Sequence, residues 1–206
     1  MYDGRVQYAL DHFICDDYFL APSERYCLKE GQDSGKSELN VSLNDENLCI
    51  SDFDNKGKCN FLKNDKKYGM QKSVDHIIFQ KRENGWVLNL LEMKSSVGNE
   101  TWISIKQKVR TSYLTACALA VFLGIDIQDT YVYTTYETDK FNKVSGTTNP
   151  KVYTPPLGER AVDFKSEEWD KDIISIKVYD KITFHHRGIK MARSKHGDFL
   201  EGELAL

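Results

Sequence analysis

Residues 73–95 limit what the rest of the 206-residue chain can become. Two apolar runs, residues 74–79 and 86–93, are rich in Val, Ile, Leu and aromatic side chains, and a short polar stretch holding Asn84-Gly85 separates them. Asn-Gly readily takes the positive φ values of a tight turn, so the pattern predicts a β-hairpin. The turn then fixes a register. A two-residue loop at Asn84-Gly85 sets Glu83 opposite Trp86, Ile77 opposite Glu92 and Asp75 opposite Lys94. A four-residue loop over 82–85 sets Asp75 opposite Glu92 instead. Either way Asp75, Glu92 and Lys94 share a face, because side chains alternate with period two and opposed residues point the same way. Only an odd loop would separate them.

Three charged groups at the ends of two otherwise apolar strands are poorly explained by packing. A buried unpaired carboxylate is costly, so such groups are normally ion-paired or bound to metal. Two carboxylates converging from neighbouring strands suit a hard divalent cation such as Mg2+ or Mn2+, which takes oxygen ligands. The plain alternative is a cross-strand ion pair between Asp75 and Lys94, with Glu92 solvated at the strand end.

Val74-Asp75, sixteen intervening positions, then Glu92-Met93-Lys94 resembles the PD-(D/E)xK nucleases, the restriction-endonuclease-like superfamily, with Val where the motif name has Pro. Glu92-Met93-Lys94 is the only Glu-x-Lys in the chain. The Asp-x-Lys triplets at Asp54, Asp65 and Asp163 lie in polar surroundings. The resemblance implies an α/β fold, a restriction-endonuclease-like central mixed β-sheet flanked by helices. It also implies a metal-dependent nuclease in which Asp75, Glu92 and the carbonyl of Met93 hold the ion and Lys94 assists. By the same resemblance, a Gln on the following helix joins the site, which points to Gln107 with Tyr113 beyond it. An N-terminal acid can join as well, and Glu24, Glu30 and Glu38 are all open for that role. The implied partner is nucleic acid, with DNA favoured, and a homodimer is an arrangement the superfamily uses. The competing function is a non-catalytic module that binds nucleic acid or protein on the same fold.

With 40% hydrophobic residues, the chain can fill one well-packed domain, expected over 1–206 with its core at about 70–140. No apolar run reaches the length of a membrane span, and residues 1–4 do not open a secretory signal. Cys15, Cys27, Cys49, Cys59 and Cys117 are odd in number, irregularly spaced and without CxxC. That pattern predicts reduced thiols in a cytoplasmic protein and no zinc or iron–sulfur site.

A net charge of −3 argues against an indiscriminate nucleic-acid coat protein. Its distribution says more. Lys56, Lys58, Lys63, Lys66, Lys67 and Lys72 precede Asp75 with Asp65 as the one acid among them, and Lys63, Lys66, Lys67 and Lys72 are candidate phosphate contacts. Arg110 and a C-terminal patch containing His185, Arg187 and Lys190 are further candidates, although a solvated charged surface explains both segments equally well.

Along the chain, apolar spacing predicts an amphipathic helix over 5–20. Residues 39–43 and 47–53 read as edge strands or a hairpin about Asn44-Asp45-Glu46. A long helix is expected over 100–123, N-capped by Asn99 and stopped by Gly124, with its apolar second half buried. Residues 130–136 read as a strand. Residues 137–171 read as loop with a short helical turn at 166–169, and 173–184 as one long strand or two short ones. Neighbouring His185 and His186 would point to opposite faces of a strand.

Overall fold

The computed structural model describes residues 2–32, 35–43, 46–59, 61–63, 69–141, 164–195 and 199–206. Lys66, Lys67, Asp65, Asp163, His196, the Asn44-Asp45 turn and the Pro/Gly breakers between 146 and 156 lie outside the described residues.

The predicted hairpin forms, as β4 (His76–Arg82) and β5 (Gly85–Glu92). Its turn is Glu83-Asn84 and not Asn84-Gly85: Arg82 pairs with Gly85, Lys81 with Trp86 and Ile77 with Leu90. Gly85, at φ +128, takes the backbone conformation that only glycine adopts easily, and it does so as the residue closing the ladder. The loop is even, and the register is the one in which Asp75 stands opposite Glu92.

Both strands are buried on both faces, because the sheet they belong to is covered on both sides. That sheet has six strands in the order β3 (Asn47–Ile50), β4, β5, β7 (Ile127–Tyr136), β10 (Lys181–Lys190), β9 (Ile173–Lys177). The pairs β3/β4, β4/β5 and β9/β10 are antiparallel, whereas β5/β7 and β7/β10 are parallel. Alternate residues divide between two cores. Ile77, Phe79, Leu88, Leu90 and Val132 pack with Val6 and Ala9 of α1 (Gly4–His12) and with Trp102, Ile105, Val109, Ala116, Ala120 and Leu123 of α3 (Asn99–Leu123). Ile78, Leu91 and Ile189 pack the other way, against a second sheet. That sheet joins β1 (Arg25–Gln32), β2 (Gly35–Ser42), β12 (Leu200–Ala205) and β11 (Ala192–Arg193), and it supplies Tyr26, Leu28, Leu39, Val41 and Leu204. The order of layers is helix, mixed sheet, sheet. Short pieces complete the description: α2 (Phe53–Lys56), the paired β6 (Ser96–Val97) and β8 (Thr138–Asp139), and α4 (Phe164–Asp170).

Four expectations change. The first helix ends at His12, not Leu20; Asp16 and Asp17 would sit at a helix C-terminus, where the dipole disfavours them. Ile14, Tyr18 and Phe19 still pack on the core from an irregular segment. Residues 39–43 and 47–53 form no hairpin, since β2 pairs with β1 in the second sheet while β3 edges the first. Helix α3 is capped by Gly98 with no side-chain cap bond, and only one stripe of its second half is buried, leaving Val121 and Phe122 79% and 65% exposed. Finally, the C-terminal basic patch is not a tail, because residues 185–190 continue β10. Gly124, at φ +67, does end α3. Among the described residues no helix is long and apolar enough to cross a membrane.

Candidate active site

Asp75, Glu92 and Lys94 converge at the end of the hairpin. Asp75 precedes β4 and is tethered on both sides: the Val74 N–H donates to Ser112 Oγ of α3 at 2.8 Å, and the Asp75 carbonyl accepts from the Phe53 N–H at 2.8 Å. Its side chain closes the end of β5, where Oδ2 accepts from the Met93 N–H at 2.6 Å. Glu92 is the last residue of β5, wholly buried, on the face covered by α3. Lys94 follows the strand, with its N–H on Thr135 Oγ1 of β7 at 3.0 Å.

The Lys94 ammonium reaches back to the centre. It lies 2.7 Å from Glu92 Oε1, 2.7 Å from the Met93 carbonyl oxygen and 3.9 Å from Asp75 Oδ2. A cationic nitrogen therefore sits among the three oxygen donors that the sequence nominates for a metal. Those donors are hard oxygens of the type that divalent cations prefer. They include only two carboxylates, and among the described residues no three His, Cys, Asp or Glu side chains converge closely enough to hold an ion alone. Met93 contributes through its backbone, while its side chain is buried in the core between the sheets.

Two further residues complete the cluster. Lys108 of α3 places its ammonium 2.7 Å from Glu92 Oε1 and 3.2 Å from Asp75 Oδ1. Glu30, on β1 of the second sheet, stands 3.9 Å from Lys94. Of the three open N-terminal acids, Glu30 is the one the fold brings to the cluster. Glu38 instead pairs with Lys29 on an exposed face.

Burial dominates the electrostatics. It pushes the Glu92 carboxyl up to about 7, reinforced by the Asp75 charge and opposed by Lys94 and Lys108. The Lys94 and Lys108 ammonium groups, both 2.7 Å from Glu92 Oε1, are what hold the carboxylate. Burial and Asp75 push Glu30 up as well. Lys108 is held above its ordinary value: burial lowers it, but Glu92 and Asp75 together outweigh that.

Gln107 does not join the cluster. On a 3.6-residue helix Lys108 flanks the stripe formed by Ile105, Val109 and Ser112, whereas Gln107 lies opposite it. Gln107 accepts from Lys72 at 3.1 Å and, with Arg110, lines a groove with Lys106, Lys177, Lys181 and Glu168. Tyr113 packs on Phe184. Sequence reasoning missed Lys108 by one position, and its place beside the apolar stripe was the available signal.

Lys63 is exposed. Arg187 shares a strand face with Ile189, on the side of the second sheet, away from the carboxylates. The two histidines do point apart. His185 stacks on Tyr131, and His186 is buried beneath Trp102 and Trp169, with Nε2 3.0 Å from Thr134 Oγ1.

No protein-family model matches the chain, and no curated protein or solved structure matches it either.

Proposed function

We propose that the chain is a metal-dependent nuclease of the restriction-endonuclease-like type, hydrolysing phosphodiester bonds in nucleic acid, with DNA the favoured substrate. The observation that carries this reading is the convergence of Asp75, Glu92 and the Met93 carbonyl on one cationic nitrogen. The order β4, β5, α3, β7, antiparallel then parallel, supports it.

Asp75, Glu92 and the Met93 carbonyl would hold the ion. When bound, Mg2+ or Mn2+ lowers the pKa of a coordinated water and neutralises charge growing on the phosphoryl oxygens. Lys94, on a flexible stem at the strand end, moves off the donors and stabilises the negative charge that develops as water attacks. Glu30, whose carboxyl is made more basic by burial, can take the proton the water loses. The water oxygen bonds to phosphorus, the bond to the leaving ester oxygen breaks, and that oxygen is protonated from solvent. Lys72, Lys106, Lys177 and Lys181 offer charge to neighbouring phosphates along the groove on α3.

The same ion network favours a second reading, in which two lysines simply neutralise two buried carboxylates in a non-catalytic binding module. Incubating the protein with single-stranded DNA, duplex DNA and RNA, with Mg2+, with Mn2+ and with EDTA, separates the two. The nuclease reading expects cleavage that EDTA, Asp75→Asn and Glu92→Gln each abolish. Salt-sensitive binding without cleavage, or cleavage by a Glu92→Gln variant, overturns it.

A further inference from the structure

The second sheet covers only part of the face it packs on. Ile78, Leu91 and Ile189 lie beneath it, and Tyr133 stands at its border. On β10 the residues that share a side with Ile189, namely Lys181, Thr183, His185 and Arg187, are all exposed, whereas Phe184 and His186 between them are buried. Side chains alternate along a strand, so these four form one row on the side away from α3 and the carboxylates. Strand β7 runs beside that row with Tyr131 opposite His185 and Tyr133 opposite Arg187. The Tyr131 and His185 rings stack, with centroids 5.4 Å apart and planes 19° from parallel. Tyr131 is half-buried and His185 exposed, so the stack faces solvent.

Positive charge surrounds the stack. Arg187 follows it on β10, and Arg82 reaches in from β4 closely enough to act on the phenols of Tyr131 and Tyr133. Lys177 and Lys181 oppose each other where β9 meets β10, bordering the groove on α3 as well. Like charges directly opposed across two strands cost stability. The one acid that these strands add to the open area is Asp129, and it is hydrogen-bonded to Tyr131. Four cations against one acid, on a chain whose net charge is −3, make a local excess that a polyanion complements.

We propose that this open face is a second binding site, for single-stranded nucleic acid, in which a base stacks against the Tyr131–His185 pair and neighbouring phosphates are held by Arg82 and Arg187. Every base has a π-face, and only an unpaired strand can lay one on a sheet surface, where aromatic rings and flanking cations work together. An acidic peptide matches the charge but gives the stacked rings nothing to do. The site goes beyond the nuclease reading and does not rest on it, because it lies on the opposite face of the sheet from Asp75 and Glu92 and needs no metal.

Fluorescence anisotropy of labelled oligothymidylate and oligouridylate on the full chain, in EDTA so that no cleavage intervenes, tests this. Both strands should bind more tightly than a duplex of equal length, and the tighter of the two identifies the preferred sugar. Tyr131→Ala and His185→Ala should each weaken binding roughly 5- to 150-fold, while Tyr131→Phe, which keeps the ring, stays close to the wild type. Arg82→Ala combined with Arg187→Ala should flatten the slope of log K against log salt by about 1.4. Duplex bound as well as single strand, affinity unchanged in both ring variants, or polyglutamate displacing the strand as efficiently as unlabelled strand does, overturns the proposal. His185 is exposed, so His185→Ala decides the matter even where Tyr131→Ala does not fold. Failure here leaves the nuclease reading standing, and strand binding at this face with no cleavage in Mg2+ removes that reading alone.

Discussion

Replacing Glu92 by Gln should stabilise the protein at alkaline pH while destroying the proposed site. The side chain is wholly buried, and burial together with Asp75 moves its carboxyl from 4.5 to about 7. At about 1.4 kcal/mol for each tenfold change in proton affinity, that rise corresponds to about 3 kcal/mol of folding free energy. The sign follows from linkage. Below pH 4.5 Glu92 is protonated in both states and the full stability is present. As pH climbs, the unfolded chain loses the proton first, so stability falls until the folded group has also titrated, near pH 7. Gln cannot ionise and so escapes this loss. Glu92→Gln should match the wild type near pH 4.5 and exceed it by up to about 3 kcal/mol at pH 8, a melting shift of roughly 6–12 °C at about 2–4 °C per kcal/mol for a chain of this size. Urea unfolding followed by the fluorescence of Trp86 and Trp102, both buried, measures it. Magnesium should narrow the gap from the other side, since an ion at 100 times its Kd adds about 2.7 kcal/mol to the wild type alone. A variant less stable than wild type at pH 8, or a difference that does not change between pH 4.5 and 8, would refute the reasoning.

Asp75→Ala removes a carboxylate and also strands the buried Met93 N–H, so it should cost about 1–3 kcal/mol of stability. Asp75→Asn keeps an acceptor for that N–H, and it should lose cleavage while retaining most of the stability, as paired melting and nuclease assays will tell. Burial lowers His186 to about 3, so its contribution is complete above pH 6.5 and lost as pH falls toward 3, amounting to about 2 kcal/mol by pH 5. The difference between wild type and His186→Asn, measured by denaturation at pH 7 and pH 5, isolates that loss from the opposing trend of Glu92; an equal difference at both values would contradict it. Gly85→Ala forces φ +128 on an L-residue and sets its Cβ 2.5 Å from Gln128 Cγ, so a loss of about 1–3 kcal/mol is expected in thermal melts.

The hairpin was legible because its information is local: two apolar runs and an Asn-Gly step predict it, and the even loop that the structure has puts Asp75 and Glu92 on one face. The turn itself was misplaced by one residue, since a positive-φ glycine serves equally well inside a turn or closing the ladder after it. The second sheet was not legible. It pairs β2 with β12 in parallel, Leu39 beside Gly202, across most of the chain, and no local pattern encodes such a partner. Glu30 could not be chosen from three acids for the same reason: its place beside Lys94 is a consequence of how that sheet packs.

A cluster of three carboxylates and two lysines is an unusual way to finish a core that otherwise closes with Ile, Leu and Trp. Buried ion pairs seldom outperform apolar side chains of similar volume, because the desolvation penalty offsets their attraction. Here even that attraction is incomplete, since the Glu92 carboxyl remains raised with two ammonium groups 2.7 Å away. Tethers to α2, α3 and β7, through Phe53, Ser112 and Thr135, nevertheless hold Asp75 and Lys94 in place. The proposed function accounts for a cluster that is held in place by its backbone while one of its carboxyls stays raised, because order of that kind serves binding more than stability. On the proposed reading, a divalent cation would add positive charge on the oxygen side of Glu92.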